Sequence, residues 1–145
     1  LNDKFKLSIF IQEDYKLINQ TNNFIWIGRG YPYRWLIFKK IENISNASTP
    51  YALFNDIIKA HNLGIIINEE YRDKTTLLKD KNNISVYRGV YNHIESDSGG
   101  PFALYMLDNV YNDEVILVAS IINNPGKNKI SHLLQMDALI SNIKF

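Results

Sequence analysis

The chain has 145 residues, 46% of them apolar, enough to bury one core without staples. A net charge of +1 argues against the basic footprint of a nucleic-acid binder. The absence of cysteine removes disulfides and thiolate metal sites. No run is long and apolar enough for a membrane-spanning helix, no secretory signal opens the chain, and its first residue is Leu1, so it reads as a processed product or a fragment.

From the amino terminus, Phe5, Leu7, Ile9 and Ile11 alternate with Lys4, Lys6 and Ser8, the period-two pattern of a half-buried strand. Residues 14–23, with Asn19, Thr21, Asn22 and Asn23, read as a connection. Phe24-Ile25-Trp26-Ile27 and the run from Tyr33 to Ile41 then form a hairpin around Gly28-Arg29-Gly30-Tyr31-Pro32. Both runs are apolar on successive residues, so this part of the sheet is expected to be covered on both faces or by another segment.

A helix follows with clear punctuation. Ser48 or Thr49 can cap it, Pro50 suits its first turn, and Gly64 can end it in a left-handed conformation. Tyr51, Phe54, Ile57, Ile58 and His61 fall on one side and should face the sheet. Ile65-Ile66-Ile67 predicts a short strand, and the charged stretch to Asp80 predicts a solvated turn or helix. Segments 84–93, 102–108 and 114–122 have β character and short links, so they predict an antiparallel meander. After Asn124-Pro125-Gly126, a last helix from about Asn128 carries Ile130, Leu133, Leu134, Ala138 and Ile143 as an apolar stripe. The expected fold is one α+β domain over residues 1–145: an antiparallel sheet of about five to seven strands, with two main helices mostly on one face.

Asp97-Ser98-Gly99-Gly100-Pro101 spells the nucleophile loop of trypsin-like serine proteases. There, a serine is activated by a histidine held by an aspartate, and glycine beside the serine lets backbone N–H groups face an oxyanion. His93 and His132 are the histidines that could serve Ser98. The chain is short of the two-barrel scaffold that this chemistry uses, and His132 follows the serine in the wrong order for that family. The same residues also suit a tight turn between strands.

Other candidates rest on charge and aromatic content. Arg29 and Tyr31 sit in the hairpin loop and could stack on or pair with a partner. Arg88 shares the parity of Ile84, Val86 and Val90, so an inward guanidinium needs an acid or carbonyls, with Glu95 and Asp97 nearby in sequence. The histidines lack metal-ligand spacing, so no metal is assigned. No cofactor motif is recognised either, since Gly126-Lys127 lacks the frame of a nucleotide loop.

Tyr87-Arg88-Gly89-Val90-Tyr91 and Ser98-Gly99-Gly100-Pro101-Phe102-Ala103-Leu104-Tyr105 resemble the Arg-Gly-x-Trp and Gly-Gly-Pro-Phe-x-x-Tyr signatures of domain-of-unknown-function family 4837. That family consists of Bacteroidota envelope proteins, often predicted lipoproteins. Phe24-Ile25-Trp26-Ile27 with Arg29, and Asn124-Pro125-Gly126-Lys127, resemble its aromatic strand and its helix entrance. Tyr91 stands where the family usually has tryptophan and Ser98 where it often has methionine, so a hydroxyl at Ser98 is not required. The resemblance implies the carboxy-terminal half of a longer protein of the cell envelope or periplasm, touching membrane only through a lipid anchor absent from this chain. The expected function is a noncatalytic envelope domain that binds a partner (an envelope protein, peptide or glycan) or supports an assembly, through loop 28–32 and turn 94–101. The alternative is a serine hydrolase.

Overall fold

A computed structural model of the chain describes residues 15–30, 33–41, 49–79, 82–95, 98–108, 115–123, 137, 138 and 140. The expected strand over residues 4–11 lies outside them. The described strands are β1 (Lys16–Thr21), β2 (Phe24–Arg29), β3 (Tyr33–Ile41), β4 (Ile65–Lys79), β5 (Asn82–His93), β6 (Gly99–Asp108) and β7 (Val115–Asn123), with helix α1 (Pro50–His61) between β3 and β4. They form one antiparallel sheet in the order β1-β2-β3-β7-β6-β5-β4. Two meanders, β1-β2-β3 and β4-β5-β6-β7, thus meet where β3 pairs with β7.

The central strands are buried on both faces. Leu36, Ile37 and Phe38 are consecutive and all fully buried, so alternate side chains enter opposite cores. One core combines Phe24, Ile37, Phe102, Leu104 and Leu117 with Tyr51, Phe54, Ile57 and Ile58 of α1. The other combines Ile25, Leu36, Phe38, Val86, Tyr105 and Val118 with Ile140. The antiparallel sheet is as expected, but the molecule is mostly β and has one helix among the described residues. The expected second helix lies outside them except at Asp137, Ala138 and Ile140, which have helical backbone. Ile140 covers the face opposite α1, because a sheet with two apolar faces needs shelter on both.

Local chemistry explains α1. Thr49 has extended backbone and its Oγ1 accepts from Ala52 N–H at 3.1 Å, while Pro50 occupies the first turn. The helix ends before Gly64: Asn62 takes the left-handed conformation (φ 53°) and its N–H bonds the Ile58 carbonyl. Asparagine tolerates that region, and Gly64 (φ 72°) continues the reversal into β4.

Two segments differ from expectation. Residues 16–21 form β1, which lacks an alternating pattern because all six residues are exposed, and which is defined by its pairing with β2. The charged stretch after Ile67 is also strand. An irregularity between Ile67 and Arg72 displaces Asn68, Glu69 and Glu70 from regular pairing, and the ladder then resumes from Arg72↔Gly89 to Lys79↔Asn82. Exposed charges along such an outer strand discourage unwanted pairing.

The turn expected over 94–101 is shorter than predicted. Gly99, Gly100 and Pro101 already belong to β6, in register with Asn92, Tyr91 and Val90. Among the described glycines only Gly64 has positive φ, so this pair serves close packing. A Cβ on Gly100 would stand 2.2 Å from the Ile122 carbonyl oxygen, and one on Gly99 2.1 Å from that of Tyr91. Tyr91 uses the room above Gly100 to donate its hydroxyl to the Ile122 carbonyl at 2.9 Å. Gly100→Ala is expected to destabilise the fold by about 1–3 kcal/mol through overpacking against backbone, whereas Ser98→Gly should cost under about 1 kcal/mol; urea unfolding of both variants checks the contrast.

Candidate functional site

The Ser98 hairpin joins β5 to β6. Ser98 is half-buried, and its carbonyl accepts from His93 N–H at 2.9 Å. The His93 ring meets Tyr91 edge-on at 5.4 Å. Its Nε2 is buried with no hydrogen-bond partner, so that nitrogen is not seated on the serine hydroxyl. His132 and Asp97 lie outside the described residues. Gly99 and Gly100, which the protease resemblance would use for an oxyanion, lie in the β5–β6 ladder.

Arg88 has a partner that local sequence did not offer. On the face away from α1, its guanidinium donates to Asp137 Oδ2 at 2.6 Å, and the Tyr105 hydroxyl donates to Asp137 Oδ1 at 2.6 Å. Glu95, one of the two expected acids, is exposed. Asp137 is thus shared between β5 and β6, and it ties the terminal segment to the sheet. Short charge-assisted bonds of this kind offset the desolvation of both ions. Burial, then the bond to Asp137, pushes the Tyr105 phenol well above its ordinary range; burial alone raises that of Tyr91. The only hint of this arrangement in the sequence was an acid inside the last apolar stripe.

Arg29 is the last residue of β2, paired with Arg34 of β3. Strand alternation puts both on the face that carries Arg88. Arg29 is half-buried, Arg34 is 5% exposed, and both are engaged. Tyr31 lies outside the described residues. The structure therefore brings Arg29 and Arg88 to one face, with two strands of the β3–β7 centre and β6 between them. Trp26 and Trp35 take the opposite face, edge to face at 4.9 Å and packed on the helix-side core.

Two further features were not anticipated. Ile66 at the start of β4 and Ile94 just past the end of β5 are 58% and 61% exposed. Ile66 is in register with Asn92, and Ile94 N–H bonds the Gly64 carbonyl at 3.0 Å, so the two isoleucines share one corner. The second feature is a cleft of about 280 Å³ between the end of β3 and α1, lined by Lys39, Lys40, Ile41, Leu53, Asp56, Ile57, Ala60 and His61. In it the His61 ring stacks on Phe24 at 3.6 Å. Burial and then Lys39 lower the His61 pKa, and burial lowers that of Lys39. Among the described residues no group of three or more His, Cys, Asp or Glu could hold a metal ion.

Folded Tyr91 and Tyr105 hold their protons above the ordinary phenol value of 10.0, so above about pH 10 the unfolded chain binds fewer protons and stability falls. The slope should reach about 1.4 kcal/mol per pH unit for each tyrosine. Tyr105→Phe is expected to lose about 1.5–3 kcal/mol at neutral pH and to flatten the alkaline slope, as measured by urea midpoints from neutral to alkaline pH.

A family model described as Domain of unknown function (DUF4837) matches residues 1–142. No curated protein matches the chain. The chain belongs to the DUF4837 family.

Proposed function

We propose that this DUF4837 member is a noncatalytic domain of the cell envelope that docks a partner protein through the corner formed by Ile66 and Ile94. The observation that carries this reading is the pair of aliphatic side chains left more than half exposed where β4 pairs with the end of β5. Glu69 and Glu70 of β4 are exposed on the same strand as Ile66, which makes an apolar centre with a polar rim, the anatomy of a protein interface. Aliphatic side chains favour a protein partner, since a glycan would call for an exposed aromatic platform. The envelope location is an expectation carried by the family resemblance.

The side chains that suggested chemistry support a noncatalytic role by what they do in the scaffold. Ser98 closes a hairpin through its carbonyl, Gly100 makes room for Tyr91, and Arg88 is bound to Asp137. Wild type and Ser98→Ala are both expected to remain unlabelled by a fluorophosphonate probe; stoichiometric labelling lost in the variant establishes the hydrolase instead.

Docking has its own measurement. A photo-crosslinker at position 94 in intact cells should give a discrete adduct that Ile66→Asp removes, while the same group at exposed Lys59 on α1 gives none. Equal adducts at both positions, or an adduct at 94 that survives Ile66→Asp, place the partner elsewhere.

A further inference from the structure

We infer that the cleft between β3 and α1 binds a small aliphatic monocarboxylate. It lies on the helix-side face and does not depend on the docking corner.

Lys39 supplies the charge. Its ammonium donates to Asn23 Oδ1 at 3.1 Å and stands 5.9 Å from the Phe24 ring centre. An amide oxygen and a ring face leave most of a half-buried positive charge uncompensated, and among the described residues no carboxylate pairs with Lys39. His61 sits beside it, fixed flat on Phe24. Its lowered pKa keeps it neutral at physiological pH, so it offers a polar ring without adding a second cation.

The rest of the lining sets the kind of anion. Ile41, Leu53, Ile57 and Ala60 give an apolar wall, and Ile41 and Leu53 keep part of their surface open while packing on the core. That surface favours an aliphatic tail over a free inorganic ion. The volume of about 280 Å³ lies just below the usual range of ligand pockets, roughly 300–1,000 Å³, so the tail is short. Asp56 lines the same cleft and opposes a second negative charge on the ligand.

Octanoate is the probe, titrated calorimetrically into the full chain beside octanol, suberate and N-acetyl-leucine. Octanoate should bind, with octanol and suberate weaker by about tenfold or more, the equivalent of losing one charge-assisted contact. Lys39→Met keeps the aliphatic stem over Phe24 and should lower octanoate affinity about tenfold while leaving octanol unchanged. Leu53→Trp should fill the cleft and weaken both ligands at an unchanged melting temperature. The inference is overturned if octanoate gives no binding at millimolar concentration, or if Lys39→Met binds it as wild type does. Tighter binding of N-acetyl-leucine than of octanoate assigns the cleft to a peptide carboxy terminus instead.

Discussion

The pairing of β3 with β7 is the contact on which the remaining architecture depends. It runs in register from Tyr33↔Asn123 to Ile41↔Val115, along all nine residues of each strand. The chain leaves β3 at the middle of the sheet, crosses one face as α1, starts again at the far edge with β4, and returns strand by strand until β7 reaches β3. Each of the other ladders joins neighbours in sequence. Only this one joins the two meanders, and its loop-closure cost is correspondingly the largest in the fold. The reward is burial on both sides at once: Leu36, Phe38, Val118 and Ile122 enter one core, and Ile37, Leu117, Ala119 and Ile121 enter the other.

A sheet buried on two faces has little tolerance for polar groups without partners. Three tyrosine hydroxyls answer that constraint by bonding beyond their own element. Tyr91 reaches from β5 to a β7 carbonyl, Tyr105 reaches Asp137, and Tyr51 of α1 donates to the Asp73 and Arg88 carbonyls at 3.2 and 2.8 Å. Arg88 is held from both sides by this logic, its backbone by Tyr51 and its guanidinium by Asp137. The Arg-Gly pair has a packing reason as well, because a Cβ on Gly89 would stand 2.4 Å from the Phe102 ring. The residues that carried the family resemblance are therefore largely those that lock β5, β6 and the terminal segment together.

Legibility in the sequence followed the reach of the interaction concerned. The 24–41 hairpin and the 84–122 meander depend on local periodicity and short links, and both could be read. So could the cap at Thr49 and the inward face of α1, including His61 on Phe24. β1 and the second half of β4 could not, because their identity comes from a neighbouring strand and not from alternation of their own. The partner of Arg88 was hidden for the same reason: Asp137 is 49 residues away, and proximity in sequence pointed to Glu95 and Asp97. The Ile66–Ile94 corner and the cleft arise only when β4 meets the end of β5 and when α1 lies over β3. No short window contains either pair.

The Ser-Gly-Gly-Pro stretch shows why a motif needs its structural context. Serine and paired glycines suit an oxyanion loop because small residues let backbone approach a reacting group closely. Here the same smallness lets backbone approach backbone: β6 comes against the Ile122 carbonyl, and Tyr91 lies over the gap. Pro101 then stands one residue before β6–β7 pairing begins at Phe102↔Ile121, a strand end where a missing N–H is tolerated. Close approach is the shared physical requirement, and what is approached decides the outcome. A site that binds must instead keep surface open, and among the described residues open apolar surface lies on β1 at Leu17 and Ile18, at the Ile66–Ile94 corner beside the Ser98 hairpin, and in the cleft beneath α1.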